Sequence, residues 1–157
     1  MQSVEALIVR PARRDELPAI VALLADDALG RAREDPAEPL PEAYWQAYDD
    51  IAAQRGNYVL VVERGGAVVG CLQLTIIPGL SRRGMKRGLI EAVRVGAACR
   101  GLGVGERLVR EAIAIARAEG CGLVQLTSDK SRAGAHRFYE RLGFSASHVG
   151  MKLALDD

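Results

Sequence analysis

The chain has 157 residues, a length suited to one domain around one core. Hydrophobic residues make up 49% and charged residues 26%, and 21 basic against 20 acidic side chains leave a formal charge of +1. That balance argues against action on nucleic acid or a membrane surface through an overall field, and no apolar run approaches the roughly 20 residues of a membrane helix.

Met1 to Arg10 lacks the basic-then-apolar plan of a secretory leader. Val4 to Arg10 alternates as a first strand, with Leu7 and Val9 on one face. Asp15 is positioned to cap a helix whose apolar stripe is Leu17, Ile20, Val21, Leu24 and Ala28. From Gly30 to Pro41, three prolines and the run Arg33-Glu34-Asp35 forbid a continuous helix. Tyr44, Trp45, Tyr48 and Ile51 then fall at helical spacing, and Gly56-Asn57 stops that helix. Tyr58 to Glu63 is a nearly continuous apolar run, expected as a central strand. Arg64-Gly65-Gly66 turns the chain into an antiparallel return over Ala67 to Ile77. A basic loop, Pro78 to Gly88, leads to a fourth strand, Leu89 to Val95. A long helix opens near Val104 and ends at Gly120, with Val104, Leu108, Ala112 and Ile115 on its apolar face, widened by Val109, Ile113 and Ala116. Leu123 to Thr127 is a fifth strand, and Arg132 to Leu142 a last helix closed by Gly143. Phe144 to Ser147 and Val149 to Leu155 complete the pattern as two short strands. The order βααβββαβαββ is that of a mixed α/β (α+β) fold. With no repeat or linker in it, residues 1–157 are expected to form a single domain.

Arg100-Gly101-Leu102-Gly103-Val104-Gly105 stands between the fourth strand and the long helix. Alternating glycines let the backbone turn tightly and leave its N–H groups open at the positive end of a helix dipole, where a phosphate group binds well. A dinucleotide-binding loop would carry its third glycine where Glu106 stands, and a triphosphatase loop needs lysine and a hydroxyl after Gly105. Both are excluded on spacing.

The Arg-x-x-Gly-x-Gly segment after Val93-Arg94-Val95 resembles the coenzyme A loop of the GNAT superfamily of N-acetyltransferases. The run Ala135-His136-Arg137-Phe138-Tyr139-Glu140-Arg141-Leu142-Gly143-Phe144 is similar to that superfamily's Ala-x-x-x-Tyr-x-x-x-Gly-Phe segment. With the element order, the resemblance covers essentially the whole chain. It implies a single GNAT-like domain whose sheet splays between its fourth and fifth strands. It also implies acetyl-CoA as cofactor, with the diphosphate on the amides of Gly101, Leu102, Gly103, Val104 and Gly105 beside Arg100. The pantetheine arm would run along Val93, Arg94 and Val95, a backbone N–H near Val93 would meet the acetyl oxygen, and Ala135 would border the coenzyme. Tyr139 would protonate the departing thiolate. The family's usual asparagine is replaced by Arg132, next to Ser131, and Arg132 is placed to reach a coenzyme phosphate.

An amine is mostly protonated at neutral pH, so attack on a thioester needs a proton acceptor. Glu91, two residues before Val93, is the leading candidate, with Asp129 behind it; of the two histidines, His136 is expected to face solvent. The expected activity is direct transfer of acetyl to a primary amine of a small acceptor in a ternary complex. Asp26, Asp27, Glu34, Asp35 and Glu38 would suit a cationic amine, although such a loop is more often simply solvated. Alternatives are a non-catalytic acyl-CoA-binding or regulatory domain and, less favoured, a covalent carrier through Cys99. Cys71, Cys99 and Cys121 are an odd set without metal-ligand spacing, so no metal site is expected, and reduced thiols point to the cytoplasm. Related folds add a homodimer by analogy.

Overall fold

A computed structural model describes residues 5–156. It contains a five-stranded sheet in the order β1 (Leu7–Pro11), β2 (Asn57–Arg64), β3 (Ala67–Ile77), β4 (Lys86–Val95) and β5 (Cys121–Leu126). The first four strands are antiparallel neighbours, and β5 lies parallel to β4. This is the mixed α/β domain expected from the element order. The described chain divides into two compact units between Gln125 and Leu126, with β5 running into the division.

In the first unit β2 is an interior strand, and Leu60, Val61 and Val62 are fully buried on it because both sheet faces are covered. On one face Val61 and Cys71 cluster with Ile20 of helix α1 (Leu17–Leu24). On the other lies α5 (Val104–Ala118), burying Val104, Leu108, Val109, Ala112 and Ala116. Each buried Val or Leu there contributes about 2 kcal/mol. Gly70 and Gly88 let this helix lie close, since a Cβ on them would come within 3.1 Å of Val104 and 3.2 Å of Ala116.

Three expectations for the first half are corrected. Val4, where the first strand was expected to begin, lies outside the described residues, and the strand starts at Leu7. Asp15 does not cap α1: a 3-10 turn over Arg14–Glu16 precedes the helix, and the Glu16 carboxylate accepts from the Arg13 N–H at 2.8 Å. The α1 stripe stops before Ala28, because Asp27 accepts from Gly30 N at 2.5 Å and caps a separate helix α2 (Ala28–Arg33). Helix α3 (Glu42–Ala53) follows the prolines as expected, yet none of its side chains is buried. In the basic loop Ser81–Gly84 forms one turn, α4, with Arg82 and Arg83 at φ 52° and 61°. Met85 then leads into a β4 three residues longer than expected.

In the second unit α6 (Ala133–Arg141) ends at Gly143, whose φ of 98° is the left-handed C-terminal conformation expected of it. The two last strands are not found: residues 144–156 carry no strand. A strand requires a neighbour to satisfy its N–H and C=O groups. Here Val149, Met151, Leu153 and Leu155 alternate as expected, but each is more than 80% exposed.

Candidate functional site

β4 bends where the resemblance places the thioester. On β3 only Leu72 separates Cys71 from Gln73, whereas on β4 Ala92 and Val93 separate their partners Arg94 and Glu91. Two residues opposite one is a β-bulge, and it turns a backbone amide away from the ladder. Ala92 carries the distortion at φ 55°, a conformation costly for any residue with a Cβ. Its carbonyl receives the Cys71 thiol at 3.8 Å, and the Val93 carbonyl receives Arg94 Nη1 at 2.9 Å. The carbonyls of the bulge thus have local partners.

Cross-strand pairing puts Glu91 beside Gln73 and Arg94 beside Cys71, and paired residues share a sheet face. Glu91 is exposed, as a proton acceptor open to a diffusing amine must be. Burial pushes the Cys71 thiol pKa up to about 12, against the opposing pull of Arg94, so this sulfur stays protonated. Cys99 is buried and receives Arg64 Nη1 at 3.8 Å, which removes it from the surface where an acyl carrier would have to work.

After Val95 the chain makes a 3-10 turn, Ala97–Cys99, and enters the glycine loop. Gly101 and Gly103 lie at φ 80° and 78°, and a Cβ on either would meet nothing within 4 Å. These two glycines are there for backbone conformation and leave open space above the loop. Gly105 is different: it lies inside α5, where it removes a side chain from the helix's first turn. The amides of Val104, Gly105 and Glu106 open this 15-residue helix and by helix geometry have no intrahelical acceptor. Leu102 is half exposed, Arg100 is exposed, and the Val104 side chain belongs to the core, leaving its amide for a ligand. A surface depression of about 310 Å³ adjoins the loop, lined by Leu7, Gly103, Glu106, Arg107 and Arg110. The loop can therefore hold a diphosphate through main-chain amides, with arginine charge nearby.

The remaining predicted residues belong to the second unit. Asp129 accepts from Ser131 N at 2.9 Å and Ser131 Oγ at 2.6 Å, so it shapes the turn before α6, which argues against a role as base. Arg132 and Ala135 are half buried, and the Arg132 carbonyl accepts from Ala135 N at 3.0 Å. Tyr139 packs edge-to-face between Phe138 and Phe144, with ring centroids 5.1 and 5.7 Å apart. Its carbonyl accepts from Phe144 N at 3.0 Å. The phenol thus stands on a ring held from both sides. His136 is exposed, as expected.

A cavity of about 180 Å³ went unread in the sequence. It lies between α1, α3 and the strands, lined by Tyr44, Ala47, Tyr48 and Ile51 of α3, by Gln73, and by Ala92 of the bulge, with apolar core residues completing the wall. The helical spacing of the α3 residues was the available signal, but it reads equally as ordinary core. The bulge had no signal at all, since alanine does not mark positive φ.

The profile of the acetyltransferase (GNAT) family matches residues 19–144. The chain is similar to glucosamine 6-phosphate N-acetyltransferase 1 of Oryza sativa subsp. japonica, 32% identical over 123 residues, 75% of this chain and 72% of that protein. It is also similar to the glucosamine 6-phosphate N-acetyltransferase of Trypanosoma brucei brucei, 39% identical over 90 residues, 57% of this chain. That match spans 59% of the trypanosomal protein's length. A solved structure described as a transcriptional regulator from Bacillus halodurans C-125 is 45% identical, with a TM-score of 0.93 over 96% of this chain and 100% of that one.

Proposed function

This chain belongs to the acetyltransferase (GNAT) family, and from that premise we propose that it moves acetyl from acetyl-CoA to a primary amine of a small acceptor by direct attack. The observation that carries the reading is the pairing of an open, glycine-formed helix N-terminus with a bulge in the strand leading to it. One feature suits the coenzyme's diphosphate, the other its reactive end.

Acetyl-CoA supplies an activated acyl group as a thioester. The amides of residues 101–105 hold its diphosphate, and Val93 to Val95 orient the arm, with Ser131, Arg132 and Ala135 as further contacts. The bulge amide near Val93 donates to the acetyl oxygen as charge builds there, a fixed dipole that needs no reorganisation during the reaction. Glu91 accepts the proton of the incoming amine at its carboxylate. Tyr139 Oη gives a proton to the departing sulfur, whose thiol form is the better leaving group. The free cysteines support a cytoplasmic location. The relatives named as N-acetyltransferases speak against a merely coenzyme-binding domain. Glucosamine 6-phosphate, from those names, is the first acceptor to assay.

The test follows thiol release from acetyl-CoA with an amine panel for the native chain and Tyr139→Phe. The variant is expected to lose about 100-fold in kcat with coenzyme affinity little changed. Equal turnover removes the tyrosine from the reaction, and no thiol release with any amine removes the transfer itself.

A further inference from the structure

Protein interiors rarely keep voids larger than a water molecule, and about 150 Å³ of apolar space is enough for a benzene ring. The cavity beside Ala92 is larger, about 180 Å³. Helix α3 explains why it persists: its stripe of Tyr44, Ala47, Tyr48 and Ile51 faces the cavity, yet the helix buries no side chain. A stripe left open at this size is a place for a ligand's carbon skeleton.

The wall chemistry limits that ligand. None of the lining residues is charged. Most of their polar groups are engaged: Tyr44 Oη donates to Glu34 at 2.7 Å and accepts from Asp35 N at 2.9 Å, Tyr48 Oη donates to the Ala12 carbonyl at 3.0 Å, and Gln73 Nε2 donates to Asn57 Oδ1 at 3.0 Å. A sugar hydroxyl would find few free partners, and the cation that shares the sheet face of Cys71, Arg94, already donates to the Val93 carbonyl at 2.9 Å, so hydroxyl and phosphate alike would lose more hydration than the wall replaces. Two carboxylates stand beside the cavity. Glu34 is held by Tyr44, and Glu91, next to Ala92, shares a sheet face with Gln73. An ammonium head with an apolar tail suits both conditions.

We infer that this cavity is the acceptor subsite and that it takes the tail of an aliphatic or arylalkyl primary amine, placing the nitrogen at Glu91, in preference to a phosphorylated amino sugar. The inference rests on the acetyl-transfer reading and names its acceptor class.

The experiment measures kcat/KM for ethylamine, butylamine, hexylamine, phenethylamine and glucosamine 6-phosphate, with thiol release as readout. Each added methylene should raise kcat/KM about fourfold, with the amino sugar phosphate below hexylamine. Ala47 is exposed on α3, so Ala47→Phe fills the cavity from the solvent side and should flatten the chain-length series. Ala47→Leu should give an intermediate slope, and it covers the case in which phenylalanine unseats the helix. Glucosamine 6-phosphate turned over with no dependence on chain length overturns the inference and leaves acetyl transfer standing. So does a slope that survives both variants. No thiol release with any of these acceptors overturns the transfer reading itself, and the inference falls with it.

Discussion

Glu16 is a buried carboxylate with unusually full company. Arg10 donates to it through Nη1 at 3.0 Å and Nη2 at 2.5 Å, the Arg13 main chain adds 2.8 Å, and Arg10 also reaches Glu63 at 2.9 Å. The Arg10 hydrogen bonds hold the Glu16 carboxyl at about 2, well below its ordinary 4.5, against the opposing effect of burial. A folded-state pKa below the unfolded one adds stability above about 4.5, lost as the pH falls toward 2. Glu16→Gln should therefore cost up to about 3 kcal/mol at neutral pH, since it leaves the half-buried Arg10 guanidinium with Glu63 in place of two carboxylates. Urea unfolding at pH 7 and pH 3 checks this: the gap between native and variant should shrink on acidification, and a constant gap would refute the electrostatic account. Sequence spacing put the cap at Asp15, one residue away. Both are acids at the start of a helix, and only the fold decides which one meets Arg10.

At the scale of elements, legibility followed periodicity. The bounds of β3 and the apolar face of α5 were readable because strand alternation and helical spacing are local properties. The bulge in β4 and the left-handed Arg82 and Arg83 were not, because sheet register and loop closure force these residues into conformations that their own chemistry disfavours. The tail misled in the opposite sense: alternation at Val149, Met151, Leu153 and Leu155 announces a strand, but pairing is a property of two segments. The glycine loop was legible since glycine itself marks positive φ, and it carries a sharp expectation. Alanine at Gly103 would touch nothing within 4 Å, so its whole effect is backbone strain at φ 78°. That strain, about 1–2 kcal/mol, should raise the acetyl-CoA Kd about tenfold, read by calorimetry, if the loop must keep its conformation to bind. An unchanged Kd would show that these amides are not the coenzyme's grip.

For the whole molecule the coenzyme is a stability ligand as well as a reactant. Anything bound by the folded chain and not by the unfolded one stabilises by mass action, about 2.7 kcal/mol at 100 times Kd. In a chain of this length each kcal/mol moves the melting temperature by about 2–4 °C, so saturating acetyl-CoA should raise it by about 5–10 °C. The pattern across variants carries more than the size of the shift. If main-chain amides hold the diphosphate while the phenol acts only on the sulfur, Tyr139→Phe keeps the full shift at saturation. Gly103→Ala should show a smaller shift at any fixed, subsaturating concentration, because its Kd is higher. Thermal unfolding of all three chains over one coenzyme titration separates the two roles. A shift lost in the tyrosine variant and kept in the glycine variant would reverse the assignment of binding to the loop and chemistry to the phenol.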